Sequence, residues 1–143
     1  MTSDWSTPQD FFDKVNSVMH FNLDVCVDDQ NHKCNRYFTA RFDGLLMTWD
    51  GICWCNPPYD RTLGKWVKKA YEEGKEGGTV VCLLPARPGS NWFCNYALKG
   101  HIIFLRDRLK FGGQGRAPFP SMLVIFGGTP EQKEQLDAMF NHD

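Results

Sequence analysis

Apolar residues recur along this chain at two periods, and the alternation of the two periods predicts its elements. Phe11, Phe12, Val15, Val18 and Met19 share one face at helical spacing. The helix is expected to start at Thr7-Pro8-Gln9-Asp10, where Thr can cap, Pro suits the first turn and an acid stands three residues after Thr. Phe21 to Cys26 is a short apolar run broken by Asn22 and Asp24, and predicts a buried strand. Residues 28–35 are polar and loop-like, and Arg36 to Phe42 holds a short strand. Gly44 to Gly51 fits neither period. Ile52-Cys53-Trp54-Cys55 predicts a strand that runs into Asn56-Pro57-Pro58-Tyr59, where two prolines force the backbone out of a sheet.

Leu63, Trp66, Val67, Ala70 and Tyr71 then form one apolar stripe, closed by Gly74 and Gly77-Gly78. Thr79 to Leu84 is the strongest strand pattern, stopped by Pro85. A short helix over residues 91–98, strands over His101–Leu105 and Met122–Phe126, and a candidate strand over Leu109–Phe111 follow. Thr129-Pro130-Glu131-Gln132 opens a C-terminal helix. Strands alternating with helices predict an α/β fold, a mostly parallel sheet with helices on both faces. Such sheets bind ligands beyond the carboxyl ends of their strands, and both Asp24–Cys26 and Asn56–Tyr59 are expected at that edge.

The chain's 143 residues suit one compact domain over residues 1–143, with no linker and no separate recognition domain. At 42% hydrophobic and 23% charged, disordered and fibrous classes are excluded. No run approaches the ~18 apolar residues of a membrane span, and the polar, acidic start is unlike a signal peptide, so a cytoplasmic protein with reduced thiols is expected. The net charge of −1 conceals an asymmetry: residues 61–116 carry eleven Lys/Arg against four Asp/Glu. Lys65, Lys68, Lys69 and Lys75 share a helix with Glu72, Glu73 and Glu76 and read as a solvated face. Arg106, Arg108, Lys110 and Arg116 face only Asp107 and, with the Gly112-Gly113-Gln114-Gly115 turn and exposed-looking Phe111 and Phe119, read as a nucleic-acid face. There Gln114 or Arg116 could reach a base edge. The competing reading is a plain hairpin.

Asn56-Pro57-Pro58-Tyr59 resembles the Asn-Pro-Pro-Tyr motif of amino methyltransferases that use S-adenosylmethionine. The chemistry needs those residues. An exocyclic amine conjugated to a ring is a poor nucleophile, so a catalyst must accept both its N–H bonds and favour a pyramidal nitrogen. Asn56 offers a side-chain oxygen and Pro57 a backbone carbonyl, the prolines including Pro58 stiffen the loop, and Tyr59 gives a flat face for an extruded base. The competing reading is a proline-rich loop with a capping Asn.

Nearly the whole chain is similar to the phage-type DNA N6-adenine methyltransferase (Dam-like) family. The likeness runs through Trp5-Ser6-Thr7-Pro8-Gln9, Leu23-Asp24-Val25-Cys26, Asp43-Gly44-Leu45, Trp54 to Tyr59, Leu84-Pro85-Ala86-Arg87, Arg108-Leu109-Lys110-Phe111 and Ala117 to Ser121. The resemblance implies a Rossmann-like, three-layer αβα methyltransferase domain, S-adenosylmethionine as donor, and adenine in double-stranded DNA as acceptor, in the cytoplasm of a bacterial host. It implies catalytic Asn56, Pro57, Pro58 and Tyr59, and donor-binding Trp5, Thr7, Pro8, Asp24, Cys26 and Asp43. Asp24 is the candidate for the donor's amino group, and Asp43 for its ribose hydroxyls or adenine amine; for either Asp the competing reading is a turn residue. For Trp5, Thr7 and Pro8 a plain helix cap fits equally well. The DNA face would hold Arg106, Arg108, Lys110, Gln114 and Arg116.

The pattern departs from the wider methyltransferase superfamily in one respect: no glycine follows Asp24 until Gly44, so the usual Gly-rich turn after the first strand is missing. That departure supports a DNA- or partner-binding module of the same fold that has lost donor binding. Within the enzyme class, a protein glutamine or an RNA base is the alternative acceptor. Cys53 and Cys55 alternate in a strand at a spacing unusual for structural zinc, so no metal is expected. Cys82 and Cys94 read as core filler. Recognition of DNA must come from loops or a second subunit, with monomer and homodimer both open.

Overall fold

The computed structural model describes residues 7–27, 32–39, 44–106, 109 and 119–140. Its secondary structure runs α1 (Gln9–Met19), β1 (Leu23–Val27), β2 (Arg36–Thr39), β3 (Ile52–Cys55), α2 (Leu63–Lys75), β4 (Thr79–Pro85), α3 (Asn91–Asn95), β5 (His101–Phe104), β6 (Ser121–Phe126) and α4 (Pro130–Phe140), with 3-10 turns over Gly44–Leu46 and Ala97–Lys99. The six strands form one sheet in the order β2-β1-β3-β4-β6-β5. β1 to β4 are parallel, and β6 runs antiparallel between β4 and β5. The expected α/β class and mostly parallel sheet are therefore observed.

Strand alternation divides the interior in two. Leu23, Val25, Cys53, Cys55, Val80, Cys82 and Leu84 pack with Trp66, Val67 and Ala70 of α2 and Phe93 of α3. The intervening Trp54, Val81 and Leu83 pack with Phe11, Phe12, Val15 and Met19 of α1 and Leu136 of α4. A strand buried on both faces reads as a continuous apolar run, which is why β3, β4 and β6 are so plain in the sequence.

Boundaries shift where polar side chains close the joints. The first strand starts at Leu23 rather than Phe21, because the preceding residues link α1 to β3. The Asn16 side chain accepts from Phe21 N at 2.8 Å, and the Asn22 side chain accepts from Ile52 N at 2.9 Å. β1 then runs on to Val27 through a bulge: Asp24 pairs with Tyr37, yet Val27 pairs with Thr39, so β1 holds one extra residue. Residues 44–51 carry a 3-10 turn and no strand. The C-terminal helix opens as expected, with Thr129 and Gln132 bonding reciprocally, side chain to backbone, at 2.9 and 3.1 Å. α1 lacks the expected cap, since Thr7 makes no side-chain bond to the helix.

Cys94 is not core filler. It is exposed on α3, whereas Cys82 is fully buried; α3 is too short to make both faces of a packed helix. All six cysteines are free thiols. Among the described residues no helix is long and apolar enough to cross a membrane, and no three His, Cys, Asp or Glu side chains gather as a metal site. Of the sequence-predicted site residues, Trp5, Asp43, Arg108, Lys110, Gln114 and Arg116 lie outside the described residues, as do Phe111 and most of the candidate strand at 109–111.

Candidate active site

The parallel strands place their carboxyl ends along one edge. β5 also points its end there, since it and β4 each run antiparallel to β6. Three loops meet at this edge: Asn56–Asp60 after β3, Ala86–Arg87 after β4, and Arg106 with Phe119–Pro120 between β5 and β6. They are physically joined. Ala86 N donates to the Pro120 carbonyl at 2.9 Å, and the Tyr59 and Phe119 rings meet edge to face with centroids 5.5 Å apart. The Arg87 guanidinium stands 6.0 Å over the Phe119 ring. Phe119 is half-buried rather than freely exposed, because its ring packs edge to face on Tyr59.

Asn56 follows β3 directly. Its amide Nδ2 donates to Thr7 Oγ1 at 2.9 Å, and Thr7 is buried. Thr7, expected as a helix cap or a donor contact, thus fixes which edge of the Asn56 amide carries the nitrogen and which the oxygen. Pro57 is buried and Pro58 half-buried. The Tyr59 hydroxyl donates to the Leu83 carbonyl at 3.2 Å while its ring is only partly covered. Burial of that hydroxyl pushes its ionisation well above the ordinary tyrosine range, so it is a neutral phenol that anchors the ring. Both ends of the tetrapeptide are therefore held, one by the residue preceding Pro8 and α1, the other by β4.

Asp24 lies inside β1, level with Trp54 of β3, and not at the strand's end as the sequence reading has it. Alternation turns its side chain to the α1 side, away from its neighbours Leu23 and Val25. Its position relative to Asn56 follows from sheet geometry: one strand across, about 4.8 Å, and two residues along, about 6.6 Å. Asp24 is 2% exposed. Lys33 N donates to Oδ2 at 3.0 Å, and Oδ1 is buried without a hydrogen bond. Burial outweighs the pull of the Lys33 and Cys26 backbone N–H groups and of the Lys33 and His32 charges, and pushes the carboxyl up to about 7. The turn that supplies Lys33 is braced by the His32 ring, which stacks on Tyr37 at 4.0 Å.

Cys26 is half-buried near the end of β1. Burial, and then the charges of Asp24 and Asp60, push its thiol up to about 12, so it is no nucleophile at neutral pH. The Gly44 turn presses against β1: a Cβ on Gly44 would overlap the Val25 carbonyl and lie 3.1 Å from the Trp66 ring. Trp49 Nε1 holds the turn in place by donating to the Gly44 carbonyl at 2.8 Å.

The family model for DNA N-6-adenine-methyltransferase (Dam) matches residues 1–138. This chain belongs to that family. Among similar proteins, a DNA N-6-adenine-methyltransferase of Escherichia phage T1 is 29% identical over 92 residues, covering 62% of this chain and 38% of the relative. A putative methyltransferase, YfdM, of Escherichia coli strain K12 is 35% identical over 63 residues, covering 38% of this chain and 69% of the relative. The chain thus spans well under half of the phage T1 protein.

For a member of the Dam family, the structure brings together Thr7, Asn56, Pro57, Pro58, Tyr59 and Arg87 at one edge, with Asp24 and Cys26 one strand away. Arg106 stands exposed just past β5, on the same edge. Two features of this edge join residues far apart in the sequence. The Thr7–Asn56 bond spans 49 residues, and the Tyr59–Phe119 contact spans 60; neither has a local signature.

Proposed function

We propose that this protein transfers a methyl group from S-adenosylmethionine to the N6 amine of adenine in duplex DNA, on a Rossmann-like, three-layer methyltransferase domain. The observation that carries the reading is the Asn56–Tyr59 loop at the carboxyl edge of a parallel sheet, anchored by Thr7 at one end and the Leu83 carbonyl at the other, in a chain of the Dam family.

The residues fit the donor. A deeply buried aspartate with one oxygen lacking a hydrogen bond and its carboxyl poised near 7 suits an ammonium ligand, which would restore the carboxylate's charge. Asp24 would hold the donor's amino group, with Thr7, Pro8 and Cys26 as walls and Trp5 and Asp43 completing the site. This arrangement takes the place of a Gly-rich turn. When bound, the donor supplies an electrophilic methyl on a sulfonium.

Asn56 Oδ1 and the Pro57 carbonyl accept the two N–H bonds of the target amine. Both acceptors favour a nitrogen whose lone pair is withdrawn from the ring and directed at the methyl. Thr7, by taking the Asn56 amide nitrogen, keeps Oδ1 as the acceptor presented. As the amine took up the donor's methyl, Asn56 Oδ1 and the Pro57 carbonyl would stay on its N–H bonds while one proton passed to solvent, so these residues need supply no strong base. The Tyr59 ring stacks on the extruded base, and Phe119 supports the ring from its edge. Arg106, Arg108, Lys110 and Arg116 meet phosphates, with Gln114 or Arg116 reaching a base edge.

Duplex DNA incubated with the protein and donor, digested to nucleosides and read by mass spectrometry, should contain N6-methyladenine. Methylation of a glutamine peptide or of RNA with none in DNA would overturn the acceptor. Donor binding absent by calorimetry would overturn the enzyme reading altogether.

A further inference from the structure

The proposed phosphate face lies between β5 and β6. A second cationic surface lies elsewhere, in an open groove of about 420 Å³ between the start of α2 and the short α3. Its floor is Leu63, Gly64, Trp92 and Tyr96, and Asn91 and Asn95 face it from α3. Four cations line it: Arg61, Lys65, Lys68 and Arg87. All four are exposed, and none makes an ion pair with the described residues.

The lysines of α2 therefore do not form one solvated face, as the sequence suggests. Lys69 turns the other way, binds Glu73 at 3.0 Å and covers the Trp49 ring. Lys75 lies over Tyr71. Lys65 and Lys68 remain on the groove side. Asp60 is the one acid in the lining, and its Oδ1 is engaged in starting the helix, accepting from Thr62 N at 2.8 Å and Thr62 Oγ1 at 2.6 Å.

We propose that this groove is a second DNA-binding surface, which holds the sugar–phosphate backbone of the strand whose base enters the Asn56–Tyr59 loop. Three features favour this occupant. Cations outnumber acids four to one, and two neutral amides stand beside them, which is the donor set that phosphate oxygens take. Lys65 and Lys68 stand about one turn apart on α2, roughly 4.5 Å along its axis, and Arg61 continues the row in the turn before the helix, so the cations line up as a charged edge that a phosphate backbone can follow. The groove is also continuous with the candidate active site: Arg61 is two residues past Tyr59, and Arg87 covers the Phe119 ring that meets Tyr59. Backbone held here would be fixed in register with the pocket while carrying no sequence information.

The inference rests on the DNA reading above, and its test separates the two. Duplex affinity of the protein and of an R61A/K65A/K68A variant is measured by fluorescence anisotropy across a salt series. Each lost phosphate contact should flatten the log–log slope by about 0.9, so the variant should lose about 2.7. Its KM for DNA should rise while kcat at saturating DNA and donor affinity hold. Lys133→Ala on α4, on the other side of the sheet, should change nothing. A triple variant with the wild-type slope and KM, in a protein that methylates DNA, overturns the groove alone. A wild-type protein that neither binds nor methylates DNA overturns both.

Discussion

Replacing Asp24 by Asn isolates one buried titration and tests the donor site with it. The carboxyl is pushed from 3.8 to about 7 by burial, so the folded state prefers it protonated. The sign follows from linkage. Between about pH 4 and 7 the unfolded chain has released this proton and the folded chain has kept it, so raising the pH favours unfolding. The stabilising preference is complete below about pH 4, falls by about 1.4 kcal/mol per pH unit, and is gone above about 7, a total of about 4 kcal/mol. The Asp24→Asn amide mimics the neutral acid at nearly the same volume, and its oxygen can still accept from Lys33 N. The variant should match wild type near pH 4 and exceed it by up to about 4 kcal/mol at pH 8. Urea unfolding at half-unit pH steps reads the difference, and subtraction removes every other titrating group. Donor binding should move the opposite way. Wild-type affinity should drop about tenfold per pH unit below 7, where a proton must be expelled, and the variant should bind weakly at every pH. Parallel stability curves from pH 4 to 8 would refute the buried titration. Equal donor affinity in the two proteins would refute Asp24 as the ammonium's partner.

Asn56→Ala removes an aimed acceptor and should lower kcat about 10²–10³-fold with donor affinity retained, measured by single-turnover methylation. Thr7→Val keeps the shape but frees the Asn56 amide; kcat should fall with KM nearly unchanged, and Thr7→Ser should restore it. Tyr59→Phe loses the bond to Leu83 and about 1 kcal/mol of stability in urea unfolding but should keep most activity, whereas Tyr59→Ala should lose the ring's stacking, about 1–3 kcal/mol of DNA binding. Gly44→Ala drives a methyl into the Val25 carbonyl, and a drop in thermal midpoint together with weaker donor binding should follow, read by scanning calorimetry.

Most strands and helices are legible in the sequence because their signals are local. β3, β4 and β6 are unbroken apolar runs, and α2 carries its stripe at 63, 66, 67 and 70. What escapes depends on distant partners. Asp24 looks terminal because Phe21 and Asn22 read as strand, yet Asn22 is committed to β3 across 30 residues. Thr7 satisfies every local rule for a cap, and Asn56 takes its oxygen instead. Helical spacing shows that Lys65, Lys68 and Lys69 are exposed or nearly so and sets Glu73 beside Lys69, but not that α3 lies beside the first two and Trp49 beneath the third. The Asn56–Tyr59 motif is the reverse case: two prolines after an apolar run fix its conformation almost alone.

The order of the sheet has a consequence for synthesis. β6, the last strand in sequence, is inserted between two that precede it, pairing with six residues of β4 and four of β5. Until residue 126 has left the ribosome, β4 presents a bare, apolar, seven-residue edge and β5 has no strand to join. That edge is the kind that recruits other chains. The same final insertion brings Phe119 onto Tyr59 and Pro120 onto Ala86. A nascent chain halted before β6 is thus an aggregation-prone parallel sheet without an assembled pocket, and completion of the sheet and of the site is a single late event.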